Sequence, residues 1–207
     1  MWKFLTGPFS RWLTTRIEPM AARTKPLLVT GERVGLRDKA EMDAWNDYLW
    51  RSDDELAELD ATYPLKMTYE QYAPIHKDDL NYISRRSHRF AIVELSEGKH
   101  IGNCMYYDLD RRAKEAELGI MIGDRAYWNG GYGTDAVKLL TSWMFNQLEL
   151  NRVYLKTLDW NVRAQRAFGK AGFTQTGFRE QGRYRFMLMD IRRDAWEQMQ
   201  AVADNAD

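Results

Sequence analysis

The sequence predicts an α/β (or α+β) domain with a mixed sheet, and three stretches carry that prediction. Residues 90–95 and 101–107 are β-rich runs joined through Glu97-Gly98, which reads as a hairpin. Gly130, Gly131 and Gly133 stand immediately ahead of residues 134–148, where Val137, Leu140, Met144 and Leu148 recur at helical spacing. A strand at 153–158, a helix at 164–170 and a strand at 183–191 follow, the alternation of a layered sheet-and-helix domain.

The other elements fall around these in chain order. Near the start, Pro8 suits a first helical turn. Phe9, Trp12, Leu13 and Ile17 follow at helical spacing, while Arg11, Thr14, Thr15 and Arg16 face elsewhere. Pro19 and Pro26 interrupt that helix. Residues 1–26 therefore read as a basic amphipathic appendage, 27–195 as the domain and 196–207 as a C-terminal tail. Residues 27–36 read as a strand pair, or one strand turning at Gly31. Residues 41–50 are helical, with Met42, Trp45, Tyr48 and Leu49 on one face. Residues 69–84 form another helix whose bounds Pro74 blurs. Residues 117–122 are a third β-rich run, stopped by Gly123-Asp124.

Composition excludes several classes of function. The 207 residues hold 30 Lys+Arg and 30 Asp+Glu, a formal net charge of zero. That neutrality is a cancellation: residues 1–25 contain five basic residues and one acid, the remainder 25 basic and 29 acidic. An acidic body is a poor nucleic-acid binder, because phosphate neutralisation needs excess positive charge. Mean hydropathy is −0.60, and no apolar run approaches the roughly 18 residues that span a bilayer. Nor is there the uninterrupted apolar core of a secretory signal. Cys104 is the one cysteine, so no intramolecular disulfide is possible and a reducing, cytoplasmic setting is expected. His76, His88 and His100 lack metal-ligand spacing, and no metal is expected. The basic, aromatic start fits a membrane-surface helix, a partner-docking helix, or one packed on its own domain or a sister subunit. A cytoplasmic protein peripheral to a membrane and a homodimer both follow as expectations.

The most informative stretch is residues 117–136. Its glycines let consecutive backbone N–H groups turn toward one concavity, and the following helix adds the positive end of its dipole. Such a turn holds a phosphate or pyrophosphate without a lysine, or is simply a tight loop. No Gly-Lys-Ser/Thr follows, so it is not a Walker loop, and the spacing is not that of a dinucleotide fold.

Trp128-Asn129-Gly130-Gly131-Tyr132-Gly133 resembles the acyl-CoA-binding motif of the GNAT acetyltransferase superfamily, Arg/Gln-x-x-Gly-x-Gly/Ala, with Trp128 in the Arg/Gln place. Tryptophan there resembles the branch of ribosomal-protein N-terminal (alanine/serine) acetyltransferases. A second match, Asn161-x-x-Ala164 through Phe168 to Gly172-Phe173, resembles the signature near the end of that fold. Together they cover about residues 27–195. The resemblance implies a mixed, mostly antiparallel twisted sheet flanked by helices and splayed at the cofactor site. It implies direct transfer of an acetyl group from acetyl-CoA to a primary amine, either a protein N-terminus or a small cationic amine. The pyrophosphate would rest on Asn129, Gly130, Gly131, Tyr132, Gly133 and Thr134, with Trp128 beside them. The pantetheine arm would follow Ile120, Met121 and Ile122, and Asn161 and Phe168 would meet the cofactor from the neighbouring elements.

Glu117, opening the strand that presents the thioester, is the candidate base; an exposed strand-end glutamate is the plain alternative. Phe168 stands where many relatives place a tyrosine and cannot donate a proton. Cys104 is better read as a small buried hydrophobe than as an acyl carrier. Residues 51–60 hold Asp53, Asp54, Glu55, Glu58 and Asp60 against Arg51. As a lip over the acceptor groove they would draw a cationic amine; as a solvated helix face they would do nothing. Tyr63 either shapes that groove or packs in the core. The missing tyrosine and the basic start leave a second reading, a GNAT-fold interaction or adaptor subunit with weak or no turnover.

Overall fold

The computed structural model describes residues 25–204. Residues 1–24 and 205–207 lie outside it, and with them the amphipathic helix expected in the N-terminal appendage. The described chain runs β1 (Leu27–Thr30), β2 (Val34–Asp38), α1 (Ala44–Ser52), α2 (Asp54–Leu59), α3 (Tyr69–Asn81), β3 (His88–Glu94), β4 (His100–Asp110), β5 (Glu115–Ile122), α4 (Tyr132–Leu148), β6 (Arg152–Leu158), α5 (Val162–Lys170), β7 (Thr174–Gln181), β8 (Tyr184–Arg192) and α6 (Arg193–Asp204). All eight strands join one sheet in the order β1-β2-β3-β4-β5-β6-β8-β7. Every neighbouring pair is antiparallel except β5–β6.

The core lies between one face of this sheet and α4. Phe90, Ile92, Leu118, Val153 and Leu155 are fully or nearly fully buried there against Val137, Leu140 and Met144 of the helix. Alternation along the strands sends every second side chain to the opposite face. On that face Arg37, Lys39 and Asn103 meet Asp43, Asp47 and His76 beneath α1 and α3. Arg37 donates to both oxygens of Asp43, at 2.9 and 2.6 Å. Lys39 reaches Asp47 and the Asn103 carbonyl oxygen at 2.7 and 2.6 Å, and His76 Nε2 lies 3.1 Å from Asp47. His100 sits 3.4 Å from Asp43 and against the Trp50 ring. Buried charges are tolerated because each has its partners. This cluster fixes α1 to the sheet.

The structure adds three elements to those the sequence predicts. Residues 54–59 form α2, capped by Asp53, whose side chain accepts the Leu56 N–H at 2.9 Å. Residues 174–181 form the edge strand β7, almost wholly exposed. The boundary expected at 195 falls inside α6, whose Trp196 packs on Phe145, so the supposed tail is partly core-bound. The shared face expected of Met42, Trp45 and Leu49 exists, but it faces outward; burial in α1 goes to Ala44, Asp47 and Trp50. Cys104 is buried, and burial pushes its thiol far up, which suits a hydrophobe and not a nucleophile. No metal cluster occurs among the described residues, and no helix there is long and apolar enough to cross a membrane.

Burial alone would raise the Asp47 carboxyl, but His76, Lys39 and Asn103 outweigh it and hold it well below the carboxylate range. Asp43 is likewise lowered, by Arg37 and then His100 and Lys39 against burial. His100 is lowered, by burial first and by Lys39 second. Asp47→Ala leaves Lys39 without its nearest carboxylate and is expected to cost roughly 3–5 kcal/mol in urea denaturation. The folded state binds its protons later than the unfolded state at all three groups. Stability is therefore expected to fall in two stages as pH drops: below about 6.5, where an unfolded histidine charges, and again below about 4, where unfolded carboxylates protonate. Stability that stays level from pH 7 to pH 3 would contradict this assignment.

Candidate active site

The parallel pair is where the sheet opens. β5 and β6 pair at Glu115↔Arg152, Ala116↔Val153 and Glu117↔Tyr154, and there the ladder stops. Both strands continue, β5 to Ile122 held by β4 and β6 to Leu158 held by β8. The backbone groups that would carry the pairing forward instead border a gap. The gap is one side of a cleft of about 390 Å³, lined by Ile120, Met121 and Ile122 from β5, by the turn ahead of α4, and by α5. An unpaired parallel edge of this kind presents oriented N–H and C=O groups to whatever enters.

The turn brings part of the glycine motif to the cleft. Asn129 and Gly131 take left-handed backbone, φ 60° and 86°, which asparagine and glycine accommodate at little cost. Gly131 is the N-cap of the 17-residue α4 and supplies no side-chain cap. An acid in the first helical turn, Asp135, could have served that end. Its carboxylate instead accepts the N–H groups of Arg33 and Val34, at 2.8 and 3.0 Å, in the β1–β2 turn. The first amides of α4 are left open toward the cleft, where the dipole favours an anion. Gly131, Gly133, Thr134 and Asn129 line the cavity. Gly130 and Tyr132 do not: Tyr132 packs edge-on against Tyr127, and a side chain at Gly130 would press on the Tyr132 ring.

The third wall belongs to α5. Asn161 caps it, its carbonyl oxygen accepting the Ala164 N–H at 3.2 Å, and its amide NH2 remains for the cleft. Phe168 lines the floor and is otherwise buried against Phe173. Trp128 ties this wall to β5. Its indole N–H donates to the Ile122 carbonyl at 2.7 Å while the Arg163 guanidinium lies 3.4 Å from its ring. Arg163, Arg166 and Lys170 also line the cleft and make its α5 side cationic.

Glu117 is not an exposed strand end. It is 7% exposed, at the last paired position before the gap. Its Oε1 accepts a short hydrogen bond from the Tyr107 hydroxyl and lies 3.1 Å from Lys156 Nζ. Burial, and then the Glu117 hydrogen bond, push the Tyr107 phenol up, so it stays protonated. The carboxylate opens on a second cavity, about 290 Å³, on the opposite side of the splay from α4.

The acidic lip is differently used from its expected role. Asp53 caps α2 and, with Glu55, grips Arg125 beyond β5, at 2.8 and 2.7 Å. Asp54 is 88% exposed beside Lys66, away from the cavity linings. Tyr63 is exposed, and Arg183 of the β7–β8 hairpin lies over its ring. The acid that does line the cleft is Asp60, raised by crowding of the surrounding chain against the pull of Arg51 and Lys156. Asp60 belongs to the acidic run singled out in the sequence, whereas Tyr107 and Lys156 carried no motif; the alternation of β4 and β6 relative to Glu117 was the one signal that could have placed them.

A family model described as an acetyltransferase (GNAT) domain matches residues 33–174. An uncharacterized N-acetyltransferase of Bacillus licheniformis is 27% identical over 107 residues, 51% of this chain and 60% of that relative. Another, from Bacillus subtilis, is 24% identical over 159 residues, covering 77% of this chain and 89% of its own. Among solved structures, a spermidine N-acetyltransferase from Vibrio cholerae, in complex with CoA and spermine, superposes with TM-score 0.68 at 16% identity. It covers 79% of this chain and 98% of its own. An aminoglycoside acetyltransferase in complex with coenzyme A gives 0.66 at 20% identity, over 81% and 99%. These likenesses show the same fold, and with a family match across more than half of its length the chain belongs to the GNAT acetyltransferase family.

Proposed function

We propose that this chain transfers an acetyl group from acetyl-CoA to a primary amine by direct attack. The observation that carries the reading is the unpaired continuation of β5 beside the open N-terminus of α4. An apolar channel edged by free backbone groups leads there to an anion seat. The residues fit the cofactor's chemistry: the amides of Gly131, Gly133 and Thr134 suit the pyrophosphate, Arg163, Arg166 and Lys170 add cationic charge, and Ile120 and Ile122 suit an extended arm. When bound, acetyl-CoA supplies an acyl carbon activated as a thioester. Spermine and coenzyme A in the related structures support an amine acceptor, and Trp128 in the motif supports a peptide N-terminus among the amines.

The chain's own residues then have a modest task. Those backbone N–H groups of residues 118–122 that point into the gap, and not at β4, polarise the carbonyl as charge develops on its oxygen. Glu117, held by Tyr107 and Lys156 with its second oxygen open, takes a proton from the attacking nitrogen directly or through water. A C–N bond forms as the C–S bond breaks. Of the two protons an ammonium acceptor loses overall, one leaves to solvent and one ends on sulfur. A thiol titrates near about 8.5, so the sulfur departs readily as thiolate and water suffices to protonate it. Phe168, with no proton to give, is therefore compatible with turnover.

Saturating acetyl-CoA at about 100 times its dissociation constant is expected to add roughly 2.7 kcal/mol of stability, visible as a rise in Tm of about 5 °C or more. An unchanged Tm, with no CoA released from any amine, would sink the proposal and leave the adaptor reading. Glu117→Gln is expected to lower kcat by about a hundredfold while that thermal shift persists. A variant with unaltered turnover would remove Glu117 from the proton path.

A further inference from the structure

The cavity beside Glu117 bears on which amine is accepted. Three carboxylates line it, Asp108, Glu115 and Glu117, and three cations, Arg152, Lys156 and Arg179. A pocket selecting a polycation would carry surplus negative charge; this one is balanced. Most of its charge is already matched. Arg152 is held by Glu115 at 3.0 Å and Asp190 at 2.7 Å, and Lys156 by Glu117 at 3.1 Å. Asp108 has one distant, exposed neighbour, Arg86 at 3.9 Å. Arg179, on the edge strand β7, makes no ion pair or side-chain hydrogen bond with any described residue. An unmatched guanidinium and a weakly matched carboxylate thus face one small cavity together with the candidate base. Outside the cavity, the nearby acids Asp53 and Glu55 are occupied by Arg125, and the β7–β8 hairpin carries Arg183, over the Tyr63 ring, and Arg185.

We infer that the acceptor is a zwitterionic amine, one whose amino group lies near a carboxylate of its own. Arg179 takes the carboxylate, in the forked geometry that guanidinium offers to such groups. Asp108 and Glu117 receive the ammonium before it loses its proton. Free amino acids and peptides with an acidic residue next to the N-terminus present the same pair of charges. The inference rests on the acetyl-transfer reading and narrows its acceptor.

The test compares kcat/KM, by release of CoA thiol, for three sets of acceptors. These are free amino acids beside the same amines lacking the carboxylate, N-terminal peptides with an acidic or neutral second residue, and the polycations spermidine and kanamycin. Zwitterionic amines are expected to lead their carboxylate-free counterparts by about tenfold or more, and the first two sets distinguish a free amino acid from a peptide. Arg179→Ala is expected to erase that preference through KM with kcat held, Arg179→Lys to restore part of it, and neither to impair polycations. Arg179 is exposed on an edge strand, so these variants fold. Turnover that favours spermidine or kanamycin and ignores Arg179 would overturn the inference while leaving acetyl transfer standing. Absence of both acetyl-CoA binding and turnover would overturn the two together.

Discussion

Three residue pairs decide the shape of this protein. Among the described strands β5 and β6 are the one parallel pair, and they hold together from Glu115 to Glu117 and no further. Each strand has an antiparallel partner on its outer side that continues to hold it, so the split costs the sheet none of its other ladders. The cleft, the free backbone edge and the placement of Glu117 at the vertex all follow from that early stop. Parallel strands need a long crossover, and here the crossover is the glycine turn and α4, which deliver the helix N-terminus to the mouth of the split.

Two supports keep the opening in place. On one face, the buried group of Arg37, Lys39, Asp43, Asp47, His76 and His100 fixes α1. Trp50 of that helix packs against Gly123 at the end of β5 so closely that even a methyl group there would overlap the indole. On the other face, Trp128 bridges the Ile122 carbonyl and Arg163, spanning the two walls with one side chain. The cleft is thus buttressed from behind by ionic contacts and across its mouth by a stacked cation. Both depend on side chains far apart in sequence.

That separation explains what could be read in advance. The glycine turn and the helical period of α4 are local patterns, and the structure contains each. Strand β7 was illegible because Thr174-Gln-Thr-Gly-Phe-Arg-Glu-Gln181 is exposed on both faces and bulged near Gly177, so no alternation marks it. Helix α2 hid in a charge run whose acids cap and pair and so seldom reach the groove. The role of Asp135 was beyond any pattern, because its acceptor contacts lie about a hundred residues upstream. Arg179 went unread with its strand.

The bond from Asp135 to the β1–β2 turn has a further consequence. It welds the edge strand of the sheet to the first turn of the helix that faces the cleft, with Gly31 leaving just enough room for the carboxylate. The polypeptide enters β1 at Leu27, the end of that short strand away from the weld. The strand at the sheet edge is therefore held to the helix whose N-terminus faces the cleft, so a shift of one carries the other. The edge of the sheet and the mouth of the cleft share one strut.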